Sequence, residues 1–125
     1  MQNKIRQRQK LHETKKEKMR KPKSVKFGHR DLNIKYITHK EANKRGIYGE
    51  VQTSTNTILI DKSLDGKVTL NTIIHELIHV IAEHYHWNLP AKDEELVCET
   101  TGNALADLFN QNPKLVEYLA FVFKK

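Results

Sequence analysis

The sequence predicts a single small α+β domain, and three patterns among its 125 residues support that fold class. Residues 32–38 alternate apolar and polar side chains, which is typical of a half-buried strand. Segments 47–52 and 57–60 are short, rich in β-branched residues and separated by a polar turn, so they predict an antiparallel hairpin. Residues 69–87 repeat apolar side chains at helical spacing. We therefore expect a small antiparallel or mixed sheet packed on helices.

The first strand is predicted to bury one face. Leu32, Ile34 and Tyr36 alternate with polar residues, so they project to the same side of the strand. Residues 39–46 then predict a polar connection or a short helical turn, and residues 53–56 predict the turn of the hairpin.

The central helix is predicted from residue 69 to residue 87. Thr69 is a suitable N-cap, and the proline at position 90 ends the helical pattern. Four apolar residues fall at positions i, i+3, i+4 and i+7 and define the face that is expected to meet the core: Ile74, Leu77, Ile78 and Ile81.

Two more helices are predicted after the central one. The first spans about residues 93–110 and carries three acidic residues in its first turn, where negative charge suits the helix dipole. Asn112 and Pro113 then predict a cap followed by proline at the first helical position. The apolar residues that follow predict a short C-terminal helix that packs back on the domain.

The charge of the chain is divided between two segments. The chain carries a formal net charge of +7, but residues 1–30 hold twelve Lys or Arg against two Glu, and residues 31–125 hold ten against thirteen Asp or Glu. We therefore divide the chain into a basic tail, residues 1–30, that is disordered or transiently helical, and a mildly acidic domain, residues 31–125. The tail is interpreted either as a solubilising segment or as an arm that binds nucleic acid or an acidic partner.

Several classes of protein are excluded by the composition. No run of 18 apolar residues predicts a membrane-spanning helix, and no apolar segment follows the basic N-terminus as it would in a secretory signal. The single cysteine, Cys98, cannot form an internal disulfide and is interpreted as a small buried residue. These features predict a soluble, cytoplasmic protein that does not bind membranes.

The central helix carries the motif His75-Glu76-Leu77-Ile78-His79, and this motif points to metal chemistry. Histidines four residues apart lie one turn apart on the same helix face, so both imidazoles can reach one cation. Glu76 is rotated from His75 by about 100°, which places its carboxylate where it can take a proton from a metal-activated water. We predict one Zn²⁺ per chain, held by His75 and His79, with Glu76 as the catalytic residue.

A catalytic zinc needs a third protein ligand, and the second predicted helix offers the candidates. Glu95 and Glu99 are four residues apart and share one helix face, so one of them could bind the metal while the other hydrogen-bonds a ligand histidine. Glu94, on a neighbouring face, is interpreted as an ordinary first-turn acid.

The spacing of these residues resembles that of the gluzincin metallopeptidases. His75-Glu76-x-x-His79 is followed sixteen residues later by Glu95-x-x-Cys98-Glu99-x-x-Gly102. The resemblance implies that Glu95 is the third metal ligand and that Glu99 hydrogen-bonds a ligand histidine, although gluzincins carry Asp at that second position. The metzincin variant is excluded because Ala82 and Tyr85 stand at the positions of its glycine and third histidine.

A second alignment resembles the ImmA/IrrE metallopeptidases, whose signature has the form E-x-x-A-N-x-F-A. Residues 99–106 of this chain read E-T-T-G-N-A-L-A. In this frame Glu99 is the metal ligand and Asn103 is its hydrogen-bonding partner. We favour Glu95 as the third ligand and keep Glu99 as the alternative.

Residues 32–123 as a whole resemble the small phage and mobile-element proteins related to the ImmA/IrrE family. The resemblance implies a minimal zincin-like fold and a cytosolic zinc peptidase that acts on a regulatory protein such as a repressor. In zinc peptidases of this architecture a strand before the motif helix pairs with the substrate, and either residues 57–60 or residues 49–52 could do so.

Aromatic and histidine residues near the motif are open to two interpretations. His84, Tyr85 and His86 could donate hydrogen bonds to a transition state, or they are surface residues at a helix end. Tyr48 and Trp87 are interpreted as packing residues.

Two functions are therefore predicted. The first is a zinc-dependent hydrolase, a metallo-endopeptidase that acts on a peptide or protein substrate. The alternative is a module that binds nucleic acid or protein through its basic tail, with a metal that only stabilises a non-catalytic zincin-like fold. The presence of Glu76 favours the enzyme, because a degenerate peptidase would be expected to lose this residue first.

Overall fold

The computed structural model describes residues 21–124, which form a four-stranded mixed sheet and four α-helices. The strands are β1 (Ser24–Phe27), β2 (Arg30–Ile37), β3 (Gly49–Gln52) and β4 (Thr57–Asp61). The helices are α1 (His39–Arg45), α2 (Gly66–His84), α3 (Ala91–Gln111) and α4 (Pro113–Val122), and a 3₁₀ turn (Thr53–Thr55) joins β3 to β4. The predicted α+β class is confirmed. The interpretation of residues 1–20 as a disordered or transiently helical tail lies outside the described residues.

The strands lie in the order β1-β2-β4-β3. The β3–β4 pair is antiparallel, as the hairpin prediction states, and β1 pairs with β2 in the same sense. β2 and β4 run parallel, with Ile34 opposite Ile58, so the sheet is mixed. Strand β4 is therefore interior, and β3 forms one edge of the sheet.

The predicted domain boundary at residue 31 is corrected by β1. Val25 faces Leu32 across the β1–β2 ladder, and both Val25 and Phe27 pack against the main core, the buried cluster between the sheet and α2. The sequence does not point to this strand, because Lys26 separates its two apolar residues and Lys23 precedes it. An alternating pattern with charged outward positions is what an exposed edge strand requires.

The core lies between the sheet and α2. Leu32 and Ile34 are buried and Tyr36 is half-buried on the same face, as predicted. They pack with residues from β4 and α2: Ile58, Ile60, Ile73 and Val80. The opposite face of the sheet is covered near α1, where Ala42 packs with Ile37 and Leu59.

Helix α2 begins three residues before its predicted start. Asp65 is the N-cap, and its Oδ1 accepts a hydrogen bond of 2.9 Å from the N–H of Val68. Thr69, the predicted cap, is buried inside the helix, and its hydroxyl donates to the carbonyl of Leu64. The cap prediction is therefore wrong, because an Asp-Gly pair upstream satisfies the free amides of the first turn.

The predicted core stripe of α2 is correct only in part. Ile78 is buried, and Leu77 packs against the main core, but Ile74 and Ile81 are half-buried. The residues of α2 that enter the main core are Ile73 and Val80. The helix is covered by the sheet and by α3, so one stripe cannot describe its burial.

Helices α2 and α3 pack closely in antiparallel directions. Near one end of the pair the Nδ2 of Asn71 donates to Oδ1 of Asn103, and near the other end His79 contacts Glu95. Gly102 permits this approach, because a Cβ at that position would lie 2.5 Å from Oδ1 of Asn71.

The terminal helix α4 begins with Pro113 at its first turn, as predicted, but it contains no buried residue. Its Tyr118 and Phe121 are 63% and 75% exposed. The prediction that this helix buries its apolar face on the domain is therefore wrong. Within residues 21–124, no helix has the length and apolar character that crossing a membrane requires.

Candidate metal centre

Three metal-ligating side chains converge where α2 and α3 face each other. The Nε2 atom of His75 lies 2.7 Å from Oε1 of Glu95, and the Nε2 atom of His79 lies 2.9 Å from Oε2 of the same carboxylate. One ligand atom from each residue lies within 4.8 Å of the others. The two histidines come from adjacent turns of α2, and the antiparallel packing brings Glu95 of α3 opposite them.

The donor set is one that could hold a metal ion. Two imidazoles and one carboxylate form a His₂Glu set, which is one of the sets that hold catalytic zinc. Ligand atoms at tetrahedral zinc distances lie about 3.4 Å apart. The N···O separations of 2.7 and 2.9 Å are shorter than this, at direct hydrogen-bond distance, so the side chains would have to move apart to admit an ion. Both histidine side chains are about one-fifth exposed.

Glu94 contacts the second ring nitrogen of His79, which corrects its interpretation as an ordinary first-turn acid. Its Oε2 lies 2.7 Å from Nδ1 of His79. A carboxylate on Nδ1 fixes the ring orientation and leaves Nε2 directed to the metal position, which is the usual arrangement around metal-bound histidines. From the sequence alone, Glu94 could have been suggested only because it is next to Glu95. It does not share the helix face of Glu95 and Glu99.

Carboxylates surround the ring of His79. Burial is the largest influence on its pKa and lowers it, but the hydrogen bond with Glu94 and the charges of Glu76 and Glu95 outweigh burial, so the pKa is raised. These charges favour positive charge at this position, whether it is carried by the imidazole or by a metal ion.

Glu76 is the buried acid of the site. It is only 8% exposed, and its Oε2 accepts a hydrogen bond of 3.0 Å from the backbone N–H of Val51 on β3. Burial raises the pKa of its carboxyl, while the positive charges of His75 and His79 and the bond from Val51 act in the opposite direction. A carboxyl with a raised pKa is suited to accept and return a proton.

A cleft of about 700 Å³ opens over this group. Residues 46–51, including β3, form one wall, and α2 and α3 form the others. Glu99 lines this cleft, but its carboxylate makes no hydrogen bond or ion pair with any residue in the range 21–124. The predicted hydrogen bond from Glu99 to a ligand histidine is thus absent, and Glu94 makes that contact instead. Glu99 also lies outside the group of three ligand residues.

Asn103, the partner of Glu99 in the second alignment, has a different role. It accepts a hydrogen bond from Asn71 and so braces α3 against α2. This arrangement places Glu95, Glu99 and Asn103 along one line of α3 that faces the cleft.

Tyr48 is a cleft residue that the sequence analysis treated as a packing residue. It is 68% exposed and lines the cleft beside Gly49. His84, by contrast, stacks edge-on against Phe27 with ring centroids 5.1 Å apart, and the next residue, Tyr85, contacts the same two rings. Neither His84 nor Tyr85 lines the cleft: Tyr85 is exposed, and His84 is half-buried against Phe27.

Comparisons with protein-family models, with curated proteins and with solved structures found no match. The fold and the site therefore define the class by themselves: an α+β protein with a candidate His₂Glu metal centre in an open cleft, next to a buried glutamate.

Proposed function

We propose that this protein is a zinc-dependent hydrolase, most simply a metallo-endopeptidase. The observation that carries the proposal is the convergence of His75, His79 and Glu95 in the same cleft as the buried carboxylate of Glu76. Two histidines and a glutamate as ligands, with a second glutamate beside them, are the set expected from the minimal zincin-like pattern that the sequence resembles.

Zinc, when bound, supplies a Lewis acid that lowers the pKa of a coordinated water and polarises a carbonyl. His75, His79 and Glu95 would hold it. Glu76 accepts the proton of the attacking water at its carboxylate and later returns that proton to the leaving amine. Burial of Glu76 raises its pKa, and this brings the carboxyl nearer to the pH at which both transfers occur.

The edge strand β3 supports a peptide as the substrate. It lies in the wall of the cleft, and among the strands of residues 21–124 it has a neighbour on one side only. An extended peptide can add to such an edge through main-chain hydrogen bonds. Residues 57–60, the other candidate, belong to the interior strand β4 and are paired on both sides. A regulatory protein is the expected source of this peptide, because the sequence resembles the ImmA/IrrE family.

The test uses zinc-loaded protein and a peptide library read by mass spectrometry, with Glu76→Gln as the matched control. The expected result is cleavage by the wild type, loss of cleavage on chelation and its return with zinc. The Glu76→Gln variant should bind zinc and cleave nothing. Stoichiometric zinc without hydrolysis of any peptide would contradict the proposal and favour a metal-stabilised binding module.

A further inference from the structure

We infer that the backbone amide of Val51 positions the carboxylate of Glu76, so that the edge strand β3 is part of the catalytic apparatus as well as a wall of the cleft. The inference rests on the proposed function for its catalytic meaning. Its structural content, a hydrogen bond between the edge strand and the buried acid, can be tested without any turnover.

The direction of the Val51 amide follows from the pairing of β3 with β4. The N–H of Asp61 donates to the carbonyl of Tyr48, so the main-chain groups of Tyr48 face β4. Successive residues of a strand point their main-chain groups to opposite sides. The main-chain groups of Gly49 and Val51 therefore point away from β4, toward the edge of the sheet. There the Oε2 of Glu76 accepts a hydrogen bond from the Val51 N–H.

The approach of β3 to α2 depends on Gly49. A Cβ at this position would lie 2.5 Å from Cγ2 of Thr72 on α2 and 3.1 Å from the carbonyl oxygen of Leu59. Contacts this short force one of the two elements to move. Glycine thus lets the strand lie near the helix, at the distance where the Val51 amide reaches Glu76.

The consequence concerns the orientation of Glu76. Its side chain is nine-tenths buried, and Val51 supplies its hydrogen bond within the described residues. Without the Val51 N–H, the buried carboxylate of Glu76 would lose this hydrogen bond, and its side chain could rotate more freely. The Val51 N–H is also unavailable to a substrate, so a peptide at this edge would have to use the main-chain groups of Gly49 and the carbonyl of Val51.

The first test measures hydrogen–deuterium exchange of the Val51 amide by NMR in the zinc-loaded full chain. The Gly49 amide, which faces the same edge, serves as the internal reference. Glu76→Ala should speed exchange at Val51 by about tenfold or more toward the Gly49 rate. Glu76→Gln keeps an acceptor oxygen, so it should preserve slow exchange at Val51 while abolishing hydrolysis. Glu83→Ala, on the same helix but outside the cleft, where Glu83 pairs with Arg30, should leave the Val51 rate unchanged.

The second test removes the donor. Val51→Pro deletes the N–H and also replaces the valine side chain and fixes φ, and an edge strand tolerates proline where the N–H faces outward. We expect kcat to fall by about ten- to hundredfold, with KM and zinc stoichiometry unchanged. Gly49→Ala should cause a similar loss by displacing the strand, and adding Thr72→Ser, which removes Cγ2, should restore part of it.

Unchanged Val51 exchange in Glu76→Ala would overturn the inference, as would wild-type kcat in a folded Val51→Pro variant. If the wild type binds zinc but hydrolyses nothing, the proposed function fails, and the exchange experiment still decides whether Val51 holds Glu76.

Discussion

The Nδ1 atom of His79 lies 2.7 Å from Oε2 of Glu94. The other nitrogen of the same ring faces Glu95, so His79 is held from both sides by consecutive residues of α3. These two contacts restrict the orientation of the ring. Preorganisation of this kind reduces the cost of assembling a metal site, and it makes Glu94 a residue whose loss should be measurable.

Replacement of Glu94 tests this role. Glu94→Ala should weaken zinc binding by about ten- to hundredfold, because the ring of His79 loses the acceptor that orients it. Glu94→Gln keeps an acceptor oxygen and should lose less. Competition with a chromophoric chelator gives the affinities, and Asp93→Ala, in the same helical turn, is the control. Wild-type affinity in Glu94→Ala would show that the contact does not support the site.

The glycine at the α2–α3 contact gives a prediction about stability. Gly102→Ala places a Cβ 2.5 Å from Oδ1 of Asn71 and 3.0 Å from its carbonyl oxygen. Overpacking of this kind costs about 1–3 kcal/mol in the free energy of unfolding. Because α3 carries Glu95, zinc affinity should fall as well. Thr100→Ala, at an exposed position of α3, should change stability by less than about 0.5 kcal/mol. Equal urea midpoints for the two variants would contradict the close packing.

Cys98 should be chemically inert in the folded protein. Burial raises the pKa of its thiol to about 12, and the charges of Glu95, Glu94 and Glu76 add to the effect. Almost no thiolate exists at neutral pH, and only the thiolate attacks disulfide reagents. Ellman's reagent should therefore react with the protein only after unfolding in guanidinium chloride. Rapid reaction under native conditions, with circular dichroism unchanged, would show that Cys98 is not buried in the folded protein.

Asp61 should make stability depend on pH in the acid range. Its carboxylate is buried and accepts hydrogen bonds from the backbone N–H and hydroxyl of Ser63, and it contacts Nδ1 of His39 at 2.8 Å. Burial is the largest influence and raises its pKa, but these partners outweigh it, so the pKa lies below the ordinary value of 3.8. The stabilisation is then fully present above pH 3.8 and is lost as the pH falls through the lowered folded-state pKa.

The Asp61→Asn variant tests this dependence. At neutral pH it should be less stable than the wild type by about 1–3 kcal/mol, because a charge-assisted hydrogen-bond network is lost. The difference in stability between the two proteins should shrink as the pH falls below 3.8 and through the lowered folded-state pKa, because the protonated wild-type carboxyl is then uncharged, like asparagine. Asp31→Asn, at an exposed position, is the control. A difference that stays constant down to pH 2 would show that ionised Asp61 does not stabilise the fold.

Much of the fold follows from local patterns in the sequence. The β3–β4 hairpin is predicted from two short β-rich segments with a turn between them, α2 from apolar residues at helical spacing, and α3 from the acidic residues of its first turn. Strand β1 was missed because its two apolar residues stand among lysines, and only pairing with β2 makes their alternation meaningful. The parallel pairing of β2 with β4 is a long-range contact that no local period encodes.

The residues of the site, too, can be predicted from the sequence only in part. His75 and His79 share a helix face, so their spacing alone brings them together. Helix geometry could not choose between Glu95 and Glu99, because both face the cleft; the choice depends on how far α3 is shifted along α2. The sequence favours Glu94 as an ordinary first-turn acid, yet its side chain is long enough to reach Nδ1 of His79. The contact of Val51 with Glu76 is a backbone hydrogen bond, which side-chain patterns cannot reveal.

The measurement that tests the central claim most directly is the zinc content of the purified protein and of two single variants, by elemental analysis after dialysis. One zinc per chain is expected in the wild type and in Glu99→Ala, and a large loss is expected in Glu95→Ala. No bound zinc in the wild type, or loss of zinc in Glu99→Ala with retention in Glu95→Ala, would contradict the His75–His79–Glu95 centre.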